Sequence, residues 1–178
     1  MRYSMVLYLH FTVEREAMQA SNDNESNRVD AYLSLLTTIN KGIVDILGPA
    51  SKGLIFGTGV EEGKRLAQDF KKTDTIQRAI ATLNEAFEGV WSIELHEKEG
   101  ESHFFLDNLG QPSFNVMVRD CPIRPAVKLK NLEQQGPICY LTNGYLCGML
   151  SEILDEKVGM DIEYAGPLAC KKRIFFRA

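Results

Sequence analysis

The closing stretch of the chain, residues 136–178, reads GPICYLTNGYLCGMLSEILDEKVGMDIEYAGPLACKKRIFFRA and carries the strongest structural signals. Pro137 suits the first turn of a helix, because its missing N–H would have no partner there anyway. Apolar residues then recur at spacings of three and four, which is the period of an amphipathic helix. They include Ile138, Leu141, Tyr145, Met149 and Ile153.

Two glycines and a change of period complete this stretch. Gly144 and Gly148 lie inside the predicted helix, where each glycine costs about 1 kcal/mol relative to alanine, so we expect a close packing contact there. Beyond the helix, residues 158–162 alternate between apolar and polar or small side chains, which predicts a strand. A turn at residues 165–167 and a last strand at residues 168–176 then predict a closing hairpin.

The upstream sequence predicts the rest of one domain by the same rules. The fold class is α+β, with N-terminal helices and one long C-terminal helix packed on an antiparallel sheet, and with a closing β-hairpin. The predicted order is a strand at residues 3–13, a polar loop at 19–27, helices at 29–47, 54–70 and 75–88, and strands at 90–97, 102–107 and 113–119.

No repeat or linker divides the chain, so residues 1–178 are predicted to form a single domain. Residues 1–50 would be an N-terminal extension of strand, loop and helix, and residues 51–178 the core. A chain of 178 residues is long enough to bury a sizeable core. The polar segment at residues 122–135 is the best candidate for a lid or a partner surface.

Composition excludes several classes of function. Hydrophobic residues make up 44% and charged residues 25% of the chain, as in ordinary soluble domains. The net charge of −4 argues against binding to nucleic acid. No apolar run approaches the roughly 20 residues that span a bilayer, and no typical cleavage site follows the apolar opening residues. We therefore expect a cytoplasmic protein without a membrane span.

No local motif predicts a catalytic site. Residues 57–63, GTGVEEG, resemble a nucleotide-binding fingerprint, but the glycine spacing is one residue too long and no parallel βαβ pattern surrounds it. We interpret this segment as a helix with small residues for close packing. No serine lies in a nucleophile elbow, and the three histidines are scattered along the chain.

Four cysteines and several large apolar residues are the candidates for a site. Cys121, Cys139, Cys147 and Cys170 have irregular spacing without a CxxC pair, so either buried reduced thiols or a metal site agrees with the pattern. Large side chains around small residues could instead wall an apolar pocket, or simply fill a dry core. These candidate ligand-binding residues are Phe56, Phe87, Tyr145 and Met149.

Five segments of the chain, taken in order, resemble the 4-vinyl reductase domain family of hydrocarbon-binding proteins. The resemblance runs from about residue 54 to residue 176. It is carried by FGTGVEEGKRLA at 56–67, RDCP at 119–122, PICY at 137–140, GYLCGMLSEIL at 144–154 and GPLAC at 166–170. The resemblance implies an α+β domain with an apolar ligand cavity and a homodimer formed through the N-terminal helices.

The resemblance also implies a zinc site in the aromatic-sensing branch of the family. That site uses a cysteine matching Cys147, a glutamate, and two cysteines of the closing hairpin, of which Cys170 matches the last. This chain has lost the other hairpin cysteine. Glu163 could supply the carboxylate, and Cys121 or Cys139 would have to replace the missing thiol.

Three functional hypotheses follow. The first is a cytoplasmic sensor or binding domain for an apolar, aromatic or tetrapyrrole-like ligand, without catalysis of its own and with zinc as the possible cofactor. The second is a reductase or accessory factor that acts on a vinyl-bearing tetrapyrrole, although no hydride-delivering motif is present. The third is a structural assembly subunit.

Overall fold

A long helix near the C-terminus lies at the centre of the fold. The computed structural model describes residues 26–96, 103–129 and 131–177. In chain order the elements are α1 at residues 26–47, α2 (Ser51–Ala67), α3 (Ile76–Ala86), β1 (Ser92–Leu95), β2 (Phe104–Leu106), β3 (Pro112–Arg119), α4 (Arg124–Leu129), α5 (Pro137–Leu154), β4 (Val158–Ala165) and β5 (Ala169–Phe176).

Helix α5 begins and ends as its sequence predicts. Pro137 occupies the first turn after an extended Gly136, and Asp155 ends the helix in the left-handed conformation with a φ of 55°. The sheet lies on one side of α5 and α2 on the other, so the helix is buried on most sides. This position explains why α5 is apolar nearly all round instead of carrying one apolar stripe.

The sheet is antiparallel and has the order β1-β3-β5-β4, with β2 also paired to β3. Residues Val116 and Val118 of β3 and Ile174 of β5 are fully buried against α5. The closing hairpin of β4 and β5 is present as predicted, with a register shift between Ile162 and Tyr164. The α+β fold class with an antiparallel sheet and a C-terminal helix is therefore confirmed.

The first two strands of the sheet lie end to end and not side by side. Strand β1 pairs with Val116–Arg119 of β3, and β2 pairs with Pro112–Phe114 along the same edge. Backbone hydrogen bonds from His96 N–H to the Asn115 carbonyl, 2.8 Å, and from Asn115 N–H to the His103 carbonyl, 3.3 Å, join the two pairings. The three predicted strands are therefore present and antiparallel, with β1 and β2 sharing β3 as their partner.

The N-terminal helices differ from their predicted bounds. Ser26, the first described residue, is already helical although it lies inside the predicted polar loop, and α2 begins at Ser51. Gly48, with a φ of +54°, and Pro49 interrupt the helix for only one 3-10 turn. By length and composition alone, the combined stretch Ser26–Ala67 could cross a bilayer, a test that core helices of other proteins also pass. The predicted strand at residues 3–13 lies outside the described residues.

A second, smaller apolar cluster ties α1 and α4 to the start of α5. Ile123 and Val127 pack against Ile138, with Leu36 of α1 beside them. The segment at residues 122–135 was predicted to be a polar excursion. It instead contains the short helix α4, because its apolar residues fall at a spacing of four and share one buried face.

Candidate functional site

Helices α2 and α5 meet backbone to backbone at four glycines, which are Gly59 and Gly63 of α2 and Gly144 and Gly148 of α5. A β-carbon on Gly59 would lie 3.0 Å from the Gly144 Cα atom, and a β-carbon on Gly148 would overlap the Val60 carbonyl oxygen. Close packing was the predicted reason for glycines in both helices, and this contact confirms it.

An apolar pocket lies beside this contact, between α1, α2 and the first turns of α5. Its volume is about 140 Å³. Aliphatic side chains from all three helices form most of its wall, including Leu36 and Ile43 of α1, Ile55 of α2 and Leu141 of α5. An engineered cavity of about 150 Å³ with a similar lining stays dry and binds benzene. The pocket is therefore large enough for one small ring.

Two polar side chains also line this pocket. The Thr58 hydroxyl donates to the Leu54 carbonyl at 3.0 Å, so its proton is used within the helix. The Asn40 Oδ1 atom is buried and accepts no hydrogen bond from any group in the described ranges. The wall of the pocket is thus aliphatic apart from these two side chains.

A wider cleft of about 720 Å³ opens between α3 and the edge formed by β2 and β3. Polar side chains such as Gln77 and Glu156 share its wall with Phe114 and Phe176. The wall of the smaller pocket is almost entirely aliphatic, so this pocket suits an apolar ligand better than the wider cleft does.

The four predicted ligand-binding residues belong to the main core. Met149 is fully buried, while Phe56, Phe87 and Tyr145 are partly buried and pack against the same cluster. Phe87 contacts Trp91 with a ring-centroid distance of 5.4 Å, near the end of α3. None of the four lines the pocket between α1, α2 and α5. Their role in ligand binding stays a prediction.

All four cysteines lie near a buried lysine. Lys172 of β5 is only 3% exposed, and its ammonium group donates a hydrogen bond to Asn143 Oδ1 on α5. Burial lowers the pKa of Lys172, while all four cysteines, Cys121, Cys170, Cys139 and, least of all, Cys147, act in the opposite direction. Within the described part of the chain, no carboxylate oxygen lies within 4 Å of the Lys172 Nζ atom.

We call this group of side chains the thiol–lysine cluster, and its members are Cys121, Cys139, Cys170, Asn143 and Lys172. Helix α4 packs beside the cluster. Arg124 donates to the Gly166 carbonyl in the hairpin turn and approaches the Cys170 sulfur at 3.3 Å. Burial raises the pKa of the Cys139 thiol. The cluster therefore links α4, α5 and the closing hairpin.

The other two predicted zinc ligands are differently engaged. Cys147 is fully buried in the main core, where desolvation raises the pKa of its thiol to about 12. Glu163 lies at the register shift of the hairpin and forms an ion pair with Lys171 at 2.9 Å. The Cys147 thiol is thus protonated near neutral pH, and the Glu163 carboxylate is paired with a lysine, so neither group is arranged as a zinc ligand.

The donor set as placed does not fit a bound zinc ion. Zinc needs about four converging donors. Among the residues that the structure describes, no three His, Cys, Asp or Glu side chains are arranged to hold a metal. A lysine amine lies among Cys121, Cys139 and Cys170 instead. Zinc binding by this chain stays an untested hypothesis, and we derive no chemistry from it.

Sequence reasoning missed Asn40, Asn143 and Lys172. Lys172 alternates with Cys170 and Ile174 along β5, so the three side chains share one face of the strand, but we interpreted Lys172 as one of the strand's polar positions. Asn40 lies four residues after Leu36 and three before Ile43, on the inner face of α1. Such spacings indicate which face of its element a side chain occupies, but they do not predict which residue it contacts across the fold.

Comparison with known proteins places this fold in a structural class. No protein-family model matches the chain, and no curated protein matches it. Solved structures do match, and they share the α+β fold of sensory and vinyl-4-reductase domains. The resemblance to the 4-vinyl reductase domain is therefore confirmed at the level of the fold.

Two of these structures illustrate the match. The crystal structure of the phenol-responsive sensory domain of the transcription activator PoxR with phenol has a TM-score of 0.56 and 18% identity, covering 81% of this chain and 73% of that one. A vinyl-4-reductase family protein from Methanocaldococcus jannaschii has a TM-score of 0.50 and 16% identity, covering 83% of this chain and 81% of that one.

Proposed function

We propose that this protein is a cytoplasmic binding or sensor domain for a small apolar molecule. The observation that carries the proposal is the pocket of about 140 Å³ with aliphatic walls between α1, α2 and α5. Most ligand pockets are apolar, with a few placed polar groups. A protein of the same fold holds phenol, which supports a ligand of similar size.

In this proposal, ligand binding changes the position of helix α1, and this change transmits the signal. Helix α1 forms one wall of the pocket, while α2 and α5 form a rigid unit through their glycine contact. A ligand that contacts both α1 and this unit stabilises one position of α1. Only such a difference in contacts can shift a conformational equilibrium.

We also propose that the protein forms a homodimer through α1. Its outer side carries an exposed apolar stripe at Val29, Tyr32, Leu35 and Ile46, while the exposed Ile39 lines the pocket. Contiguous apolar surface of this kind is typical of protein interfaces. The same stripe favours the second candidate function, a structural assembly subunit that needs no ligand.

Ligand binding is tested by titrating the full chain with toluene and measuring heat or amide chemical shifts. Ile43→Trp fills the pocket from α1, and we expect it to abolish binding. Lys41→Trp is the matched control, because Lys41 is exposed on the same helix and lies neither in the pocket wall nor in the apolar stripe. If toluene does not bind the wild type, or if both variants bind it equally, this pocket is not the site.

Metal analysis of the purified protein decides the zinc hypothesis independently. Because Lys172 lies among the thiols, we expect less than one zinc ion per chain in the wild type and in Cys170→Ser alike. Stoichiometric zinc that is lost in Cys170→Ser would show that the cluster rearranges to bind metal.

A further inference from the structure

Two cysteines, Cys121 and Cys139, lie together where the loop before α4 meets the first turn of α5. Both side chains pack against the same small apolar cluster of Ile123, Val127 and Ile138. Burial is the main cause that raises the pKa of the Cys139 thiol, and among the neighbouring side chains Cys121 adds most to this increase. Because such an electrostatic effect weakens with distance, the two thiols are near neighbours.

Local backbone geometry holds each of these two residues in place. Cys121 follows Asp120, whose left-handed backbone with a φ of 52° turns the chain away from β3. The Cys121 carbonyl accepts a hydrogen bond from the Arg124 N–H at 3.0 Å, and the Cys139 N–H donates to the Gly136 carbonyl at 2.9 Å. A bond between the two sulfurs would therefore join two elements that are each fixed by their own backbone contacts.

The other two cysteines are engaged differently. The Arg124 guanidinium approaches the Cys170 sulfur at 3.3 Å and also binds the hairpin turn. Cys147 is fully buried in the main core. Cys121 and Cys139 are both partly exposed, so small solutes have access to this pair. The pair thus combines exposure with a neighbouring thiol.

We propose that Cys121 and Cys139 form a reversible redox pair whose substrate class is a small hydroperoxide. One thiolate attacks a peroxide oxygen, the O–O bond breaks, and the sulfur becomes a sulfenic acid as water or an alcohol leaves. The second thiolate attacks this sulfur, so that the S–S bond forms, the S–O bond breaks, and water leaves. The two thiols lose two electrons, the peroxide gains them, and the two thiol protons leave with the released alcohol and water.

A reversible pair agrees with the cytoplasmic location proposed above. Disulfides in cytosolic proteins are usually transient and serve catalysis or redox sensing, because glutathione and thioredoxin keep thiols reduced. The proposal also does not depend on the ligand of the apolar pocket, because neither Cys121 nor Cys139 lines that pocket. Failure of toluene binding would therefore leave the redox pair untouched, and the reverse also holds.

The test treats the reduced full-length chain with hydrogen peroxide and maps cross-links by peptide mass spectrometry. We expect the mass of the wild type to fall by two hydrogen atoms, with Cys121 joined to Cys139, and dithiothreitol to reverse the change. Cys170→Ser is the matched control from the same cluster and should form the same bond. Cys121→Ser and Cys139→Ser should not form it, and dimedone should trap a sulfenic acid on the remaining thiol of the pair.

The same reaction in urea separates the native geometry from chance encounters. The folded chain should favour the bond between Cys121 and Cys139 at least about tenfold over the unfolded chain, in which each pair must first close a flexible loop. Sulfenic or sulfonic acids without this bond, or bonds formed mainly by Cys170 or between two chains, would overturn the proposal. The wild type alone provides this map, so the result does not depend on the folding of the serine variants.

Discussion

At the scale of single residues, the thiol–lysine cluster is the least ordinary feature of the core. A lysine is almost never fully buried without a partner, because its ammonium group loses its hydration there. Lys172 has the Asn143 oxygen as its acceptor, while the Asn143 Nδ2 atom has no partner in the described residues. The two side chains therefore depend on each other.

Replacing one member of this pair should cost more than replacing both. We expect Lys172→Met to lower the free energy of unfolding by about 1–3 kcal/mol, because it leaves Asn143 Oδ1 without its donor. Adding Asn143→Leu should recover much of that loss, since an apolar pair of similar volume needs no hydrogen bond. Urea unfolding of the two single variants and the double variant measures the coupling, and additive effects would contradict it.

The same lysine predicts a pH dependence. Burial lowers its pKa in the folded state below the usual value of 10.5. Between these two pKa values the unfolded chain binds a proton that the folded protein does not, so the unfolding free energy rises with pH. The stability difference between wild type and Lys172→Met should therefore grow as pH rises toward 10.5. A flat difference would show that Lys172 titrates normally.

Cys147 should be the least reactive thiol. It is fully buried, and a pKa of about 12 leaves very little thiolate at pH 8. We expect iodoacetamide to alkylate Cys121, Cys139 and Cys170, which are partly exposed, at least about tenfold faster. Peptide mass spectrometry of the native protein over time measures the four rates. Comparable labelling of Cys147 would show that α5 opens readily.

Sequence periodicity predicts which face a residue takes, but not what it meets there. The two-residue period of β5 turns Lys172 inward, and the spacing on α1 turns Asn40 inward. Asn143 lies 29 residues from Lys172, and α1, α2 and α5 come from distant parts of the chain. The hydrogen bond and the pocket arise from tertiary packing, which a single sequence does not encode locally.

At the scale of elements, the α2–α5 contact sets the distance between two of the three helices that form the pocket wall. Gly148→Ala should destabilise the protein by about 1–3 kcal/mol, because its β-carbon would overlap the Val60 carbonyl oxygen and force the helices apart. Gly57→Ala on α2 is the matched control, since nothing lies within 4 Å of its added carbon. It should stabilise the helix by up to about 1 kcal/mol.

Thermal and urea unfolding of these two glycine variants measures the contrast. A Gly148→Ala protein as stable as the wild type would mean that α2 can move away from α5 without loss. The existence and type of the described helices and strands were predictable from their periods, except for the short helix α4. The end-to-end arrangement of β1 and β2 was not, because pairing partners depend on long-range register.

At the scale of the whole molecule, the outer face of α1 is the main unexplained surface. Its inner face packs on α4 and α5 through Leu36, while Tyr32, Leu35 and Ile46 remain exposed on the outer side. Burying apolar surface contributes about 25 cal/mol per Å², so two such stripes facing each other would stabilise a dimer. A stable interface buries about 800 Å² on each partner, which a helix of this length can supply together with flanking residues.

We therefore expect the full chain to be a dimer in solution and Leu35→Glu to convert it to a monomer, because a buried carboxylate without a partner is costly. Lys41→Glu, an exposed charge change on the same helix, should leave the dimer intact. Analytical ultracentrifugation over a concentration range measures both outcomes. A monomeric wild type that co-sediments with lipid vesicles would instead assign the stripe to a membrane surface, in keeping with the apolar length of Ser26–Ala67.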